Sequence, residues 1–341
     1  MKRKISVTLV LLMAFISCEG PETTVTNIVG RNGSVLRKVE MNHTSSISNT
    51  DGFKVPVDST WNLKDSLFIS AEGDTTWFMF AEKMFESADA INEAYLSDTA
   101  TNSSVTRTAF FNRKFKWFTT TWYFAEKCEK SLLHGYPMAD YLKPEEIAFM
   151  ELPDKISDEL VIGPDSLGLR SLIDSVQLHT EQWMIRSLIS EFIEDAGALC
   201  ETSGKDSLTT EILRSHENDF YSLVGANMNA DSILTLVFGD SLYANFKPEF
   251  DSALTLTETK FDKSWLFESY TMQIVMPASL KSTNGYMMDD GTLAWPVTGN
   301  HFLTDDYIMY AESRDINYWA IIITLLLPGA MAYFTWSIKR K

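Results

Sequence analysis

Three hydropathy patterns divide this chain. The first is an unbroken apolar run near the end. Tyr318 to Ile338 reads YWAIIITLLLPGAMAYFTWSI, with no charged residue, and Lys339, Arg340 and Lys341 follow at once. At about 1.5 Å per residue, a helix of that length matches the roughly 30 Å hydrocarbon core of a bilayer. The pattern predicts a transmembrane helix over 318–338 and a basic tail over 339–341.

The second pattern is alternation with period two. Val25 to Met41 alternates on both sides of Arg31-Asn32-Gly33, which predicts a hairpin with its turn at Asn-Gly. Leu67 to Ala81 predicts a strand pair turning at Glu72-Gly73-Asp74, and Ala88, Ile91, Ala94 and Tyr95 predict a short helix after it. Val105 to Cys128 is the clearest sheet region. In FKWFTTTWYF one face carries Phe115, Trp117, Thr119, Thr121 and Tyr123, and the other Phe118, Thr120, Trp122 and Phe124. Both faces are apolar or small, so the stretch reads as a strand covered on both sides. Trp117 and Trp122 are the candidate ligand-facing aromatics, set against the plainer reading that both are packing.

The third pattern has helical period. Pro144 with Glu145 and Glu146 marks a helix start. Residues 165–200 carry a long apolar stripe, and further helices are predicted over 207–225, 230–246 and 249–262. Strand character returns at Leu266–Met276 and in FLTDDYIMYAES. The fold class that follows is α+β. A mainly antiparallel sheet domain is built from 25–135 and 264–315, a helical insertion covers 136–263, and the C-terminal transmembrane helix covers 318–338. Two sequential domains are the alternative.

Charge refines the picture. The 341 residues carry a net charge of −17, and six positive charges sit at the two ends, so the stretch between is more acidic still. Such a surface repels nucleic acid and anionic headgroups, and no nucleic-acid partner is expected. The first 18 residues, MKRKISVTLVLLMAFISC, combine a basic start with an apolar run from Ile5 to Ile16, too short to span a membrane well. Residues 1–17 read as a secretory signal. Ser17-Cys18 resembles a bacterial lipobox, although Phe15 stands where Leu is usual. The resemblance implies cleavage before Cys18, lipidation of its thiol and a tether over 18–24. With the basic tail inside, the chain is expected in a bacterial inner membrane, single-pass, with its ectodomain in the periplasm and its C-terminus cytoplasmic. An exported compartment permits a Cys128–Cys200 disulfide, but two cysteines carry no spacing signal, and two buried thiols remain the alternative.

Asp followed by Ser or Thr and then an apolar or small residue (or Thr) recurs through the chain. The hydroxyl residues are Ser59, Ser66, Thr75, Thr99, Ser166, Ser175, Ser207, Ser232, Ser241 and Ser252. Composition alone would give about two such triplets. The pattern resembles the O-glycosylation acceptors of exported Bacteroidota proteins, which implies glycans on exposed members. Asp-Ser before an apolar residue is also how helices start, so both readings hold side by side.

PASLKSTNGYMMDDGTLAWPV, the following strand and the terminal helix resemble the membrane-proximal end of LppM-type lipoproteins. Asn284, Gly285, Asp290, Gly291 and Trp295 occupy the motif places, over roughly a fifth of the chain. That resemblance implies an ectodomain that binds lipid or lipoglycan. The large helical insertion departs from it.

Chemistry is sparse elsewhere. The carboxylate pairs Asp289-Asp290 and Asp305-Asp306 would suit Ca²⁺ only if the fold brought them together. His43, His134, His179, His216 and His301 are scattered, without zinc spacing. There is no Gly-x-Ser-x-Gly, and Ser203-Gly204-Lys205-Asp206 lacks the rest of a phosphate loop. No metal, cofactor or catalytic residue is expected, and the chain reads as a non-enzyme. The functional expectation is a binding or accessory module whose partners are the bilayer and an envelope lipid, glycan or protein. A structural subunit of an inner-membrane complex and an envelope hydrolase are the alternatives.

Overall fold

Thr23–Val29 (β1) and Val35–His43 (β2) form the hairpin that the alternation predicts. Val25, Val29, Val35, Val39 and Met41 turn inward, and Gly33 makes the turn with φ +94°. A Cβ there would also stand 2.7 Å from the Phe111 ring, so glycine serves both the turn and the packing. The computed structural model describes residues 22–43, 53–69, 75–98, 102–152, 166–205, 207–224 and 228–339. The signal sequence, Cys18, the turn over 72–74, Thr99 and tail residues 340–341 lie outside the described residues.

The next elements are Asn62–Ile69 (β3), Thr75–Phe85 (β4) and the helix Ala88–Leu96 (α1), capped by the Ser87 side chain. Arg107–Lys116 (β5) and Thr119–Cys128 (β6) follow. This pair corrects the single strand expected through FKWFTTTWYF. The chain reverses at Trp117-Phe118, and β5 and β6 pair from Lys116↔Thr119 to Arg107↔Cys128.

The helices are Pro144–Met150 (α2), Ser166–Thr202 (α3), Thr210–Ser215 (α4), Glu217–Val224 (α5), Ala230–Phe238 (α6) and Asp240–Trp265 (α7). The break expected between 246 and 249 is absent, and Pro248 lies inside α7. An interior proline costs a hydrogen bond and a clash, but Phe246, Phe250 and Ala253 are buried on either side of it and hold the helix through. The chain breaks instead at Gly239, whose φ of +76° ends α6.

Strands return as Tyr270–Val275 (β7), Ser279–Thr283 (β8), Tyr286–Met287 (β9), Leu293–Val297 (β10) and Tyr307–Ile316 (β11). The helix Tyr318–Lys339 (α8) ends the described chain. One sheet has seven strands in the order β3-β4-β2-β1-β7-β10-β9, and the other has four in the order β5-β6-β11-β8. All pairings are antiparallel except β1 with β7. The two inner faces and α1 share one core, including Val25, Val39, Met272 and Trp295 from the larger sheet, Phe124, Met309 and Ala311 from the smaller, and Ile91. The fold is therefore α+β with antiparallel-rich sheets drawn from both ends of the chain.

The helices between have their own core around Phe192, Ile193, Leu213, Phe246 and Phe250. They join the sandwich where β6 ends and β11 begins. There Leu132, Leu142, Trp183, Phe261 and Leu303 pack together, and the Ser131 and Leu132 amides donate to the carbonyls of Phe302 and Leu303. Because Cys128 pairs with Tyr307 and Thr119 with Ile316, the helical block and α8 leave the small sheet at opposite ends.

His301 sits at the helical-block end. Its ring stacks on Tyr307 at 4.6 Å, and its nitrogens lie 3.2 Å from Thr298 Oγ1 and the Met150 carbonyl oxygen. Burial pulls its pKa down to about 4, so the fold holds it neutral. The unfolded value is about 6.5, so the unfolded chain takes up a proton first as pH falls. Its contribution is complete above about pH 6.5 and is lost as pH falls to about 4, on the order of 3 kcal/mol. Urea midpoints measured across that window are expected to fall less steeply in His301→Asn than in the parent.

Candidate functional site

One residue, Asn317, joins β11 to α8, and it grips the β5–β6 tip. Its Nδ2 donates to the carbonyl oxygens of Lys116 at 2.8 Å and Trp117 at 3.2 Å. Its Oδ1 accepts from Thr120 Oγ1 at 3.0 Å, and its amide donates to the Phe118 carbonyl at 2.9 Å. The tip is thereby clamped to the start of the helix. Trp117 Nε1 then donates to Thr324 Oγ1 at 2.8 Å, and its ring meets Trp319 edge-on at 5.3 Å. Phe115 stacks on Trp319 at 6.3 Å. Ala320 is fully buried at this junction, while Phe115, Trp117, Phe118 and Trp319 stay about half exposed.

Beyond the junction α8 stands clear of the rest of the molecule. It is the one helix among the described residues long and apolar enough to cross a membrane, and none of its apolar window is buried. Tyr318 and Trp319 lie at one end of it, and Tyr333 and Trp336 at the other. That is the placement of aromatic rings at the two faces of a bilayer.

The two candidate tryptophans therefore part company. Trp117 is at an exposed tip against α8. Trp122 is buried at 3% exposure, donates from Nε1 to the Arg31 carbonyl oxygen at 2.9 Å, and has the Arg31 guanidinium over its ring at 5.4 Å. Its ligand-facing role is not made, because its strand position faces the other sheet. Asn317 went unnoticed in the sequence. Its signal is an amide side chain alone between a strand and an apolar helix, where a polar group must satisfy two element ends at once.

A second polar cluster is sealed between the sheets. Arg37 on β2 is ion-paired to Glu126 on β6, and both side chains are 2% exposed. Arg37 Nε donates to Asn27 Oδ1 at 2.8 Å, and its Nη1 donates to the Tyr95 hydroxyl at 2.8 Å. Asn27 Nδ2 donates to Glu126 Oε1 at 2.7 Å, and Tyr95 donates to Glu126 Oε2. Burial is the largest single influence and opposes the Arg37 charge, yet Glu126, Tyr95 and Tyr270 together outweigh it and raise the pKa. The strands signal both partners, since Arg37 shares the Val35/Val39 face and Glu126 the Phe124/Cys128 face. The cluster joins the two sheets and α1.

Cys128 and Cys200 are buried free thiols in separate cores, so the pairing that an exported compartment would allow is not formed. Burial pushes the Cys128 thiol up to about 12 and the Cys200 thiol up to about 11, so both stay protonated at neutral pH.

Of the Asp-Ser/Thr positions, Ser59, Ser66, Thr75, Ser207, Ser241 and Ser252 are exposed and Ser232 is half-buried. Ser175 is half-buried and donates to Glu146. Burial opposes ionisation of Glu146, but Ser175, the Lys143 amide and His179 together hold its carboxyl down to about 2. The Ser166 side chain and Thr99 lie outside the described residues. The helix-start reading fits Asp231 and Asp240, in the first turns of α6 and α7, but Asp174-Ser175 and Asp251-Ser252 lie inside helices.

The carboxylate pairs are not gathered. Asp306 pairs with Lys127 at 3.3 Å, while Asp290 accepts the Thr292 amide at 2.8 Å. Among the described residues no group of three or more His, Cys, Asp or Glu is placed to hold a metal. Asn284, Gly285 and Trp295 form a joint between the sheets. Asn284 Oδ1 accepts from Trp295 Nε1 and from the Tyr310 amide, each at 3.0 Å. A Cβ on Gly285 would stand 2.3 Å from the Trp295 ring.

No family model matches the chain, and none of the curated proteins does. Among solved structures the chain is similar to the folded domain of LppM from Mycobacterium tuberculosis, determined by NMR. The likeness covers 87% of this chain and 91% of that one, at 7% identity and a TM-score of 0.27. It is a weak resemblance to a lipoprotein domain, too low in TM-score to carry a shared fold or activity.

Proposed function

We propose that the protein is a membrane-anchored envelope lipoprotein, facing the periplasm from a bacterial inner membrane through α8. It acts as a binding or accessory module for an envelope lipid, glycan or protein, and not as an enzyme. The observation that carries this reading is the seating of the β5–β6 tip on α8. An apolar helix of 22 residues is left bare except at its first two turns, where Asn317, Trp117 and Trp319 form a collar. In water that apolar surface would be costly, and in a bilayer it is matched.

The start of the chain adds a constraint. β1 begins at Thr23, inside the tether expected over 18–24. It runs toward the α8 end, where Arg31 pairs with Asp315 at 2.8 Å, so the chain enters the sandwich from the opposite end. Seven strand residues span about 20 Å, whereas Cys18 to Thr23 reaches at most about 17 Å. A lipid on Cys18 and a spanning α8 share one bilayer only if the sandwich leans over onto it.

Affinity purification of the tagged full-length protein from native membranes tests the module reading. The expected result is one envelope protein, or one lipid or glycan class, enriched over its bulk abundance. A monomer that purifies with bulk lipid composition and no partner would overturn it.

A further inference from the structure

The outward face of the small sheet departs from the charge of the chain. Lys114 and Lys116 on β5 and Arg314 on β11 point outward and are exposed. Among the described residues none of the three forms an ion pair. They line a shallow groove of about 210 Å³ with Thr119, Thr121, Lys281 and Glu312. Glu312 is the one acid in that lining, and Lys281 pairs with it at 2.7 Å. The cations are thus unbalanced, on a chain whose net charge is −17.

The same face carries apolar groups outward. Phe110, Ile308 and Ile316 are each more than 40% exposed, and Tyr123 stacks on Tyr310 at 5.9 Å. β11 runs along this face directly into α8, so the groove lies at the foot of the apolar helix.

We propose that this outward face of the small sheet docks on the anionic headgroups of the bilayer that α8 enters, with Lys114, Lys116 and Arg314 contacting lipid phosphate. Three features select a lipid surface as the occupant: the charge is complementary, exposed apolar groups share the face with Ile316 beside the cations, and the face is continuous with α8. Docking here lays the sandwich over toward the membrane, which is the posture that the short reach from Cys18 requires. The proposal rests on α8 being membrane-embedded, and it localises the general repulsion of anionic headgroups expected from net charge to the rest of the surface.

The test uses the full-length protein in detergent, with native mass spectrometry reading the lipid retained from phosphatidylglycerol or phosphatidylcholine. The variants are Lys114→Gln/Lys116→Gln/Arg314→Gln and, on the other sheet, Lys38→Gln/Lys64→Gln. The parent and the second variant are expected to retain phosphatidylglycerol far better than phosphatidylcholine. The triple variant is expected to lose that preference by roughly a hundredfold, with an unchanged circular dichroism spectrum and melting profile. Equal retention of the two lipids by the parent, or an unaltered triple variant, would overturn docking. Displacement of phosphatidylglycerol by millimolar inorganic phosphate would assign the groove to free phosphate and also overturn it. Alkaline carbonate extraction of Cys18→Ser protein reads α8 separately. Release of that variant refutes the membrane-embedded helix, whereas its retention together with no lipid preference in the parent refutes docking alone.

Discussion

Glu126→Ala is expected to lower the unfolding free energy by about 3–5 kcal/mol, because it leaves Arg37 charged and unpaired in the interior. Arg37 and Glu126 are each 2% exposed, and no solvent reaches the guanidinium to replace the lost carboxylate. Asn27 and Tyr95 still face Arg37, but they supply dipoles and not a countercharge. The loss is a large share of the 5–15 kcal/mol that holds a typical domain. Replacing both partners, as Arg37→Met/Glu126→Leu, removes the stranded charge together with the pair. It is expected to recover most of the loss. Urea denaturation of the two variants beside the parent measures this. A single variant within about 1 kcal/mol of the parent would show that the pair does not bind the sheets together.

The second large effect concerns attachment. A stop codon replacing Asn317 is expected to leave the chain in the membrane fraction through a lipid on Cys18, and Cys18→Ser is expected to leave it there through α8. Only the two changes together should release it almost completely, since either a spanning helix or a lipid with further surface contact holds a chain to a bilayer. Fractionation after alkaline carbonate, with immunoblotting, reads all four combinations. Release by the stop codon alone would remove Cys18 as an anchor, and release by Cys18→Ser alone would remove α8.

The β1–β2 hairpin was legible because Asn32-Gly33 announces its turn and Val25 to Met41 alternates on both sides. α3 and α8 were legible because their apolar patterns are long. The β5–β6 turn was not legible. Trp117-Phe118 holds no glycine, asparagine or aspartate, and its place is set by Asn317, Trp319 and Thr324, some 200 residues later in the chain. Without that turn, Trp117 and Trp122 looked like residues of one strand, and their opposite fates stayed hidden. Pro248 misled for the same reason. A local rule against proline in helices lost to the burial of Phe246 and Phe250. The candidate site was half visible, with the apolar helix plain and its collar not. The cationic groove was masked by net charge, which averages over a surface and does not see that Lys114 and Lys116 meet Arg314 across two strand pairings.

The central claim is that α8 lies in a bilayer with the β5–β6 tip at its interface. Trp117 reports on it. Full-length protein is reconstituted into bilayers whose acyl chains carry bromine either near the glycerol end or near the middle of the membrane, and tryptophan fluorescence of Trp117→Phe is subtracted from that of the parent. The difference signal, which isolates Trp117, is expected to be quenched strongly by the shallow bromines and weakly by the deep ones. A difference signal untouched by bromine at either depth would place the tip in water and contradict the account.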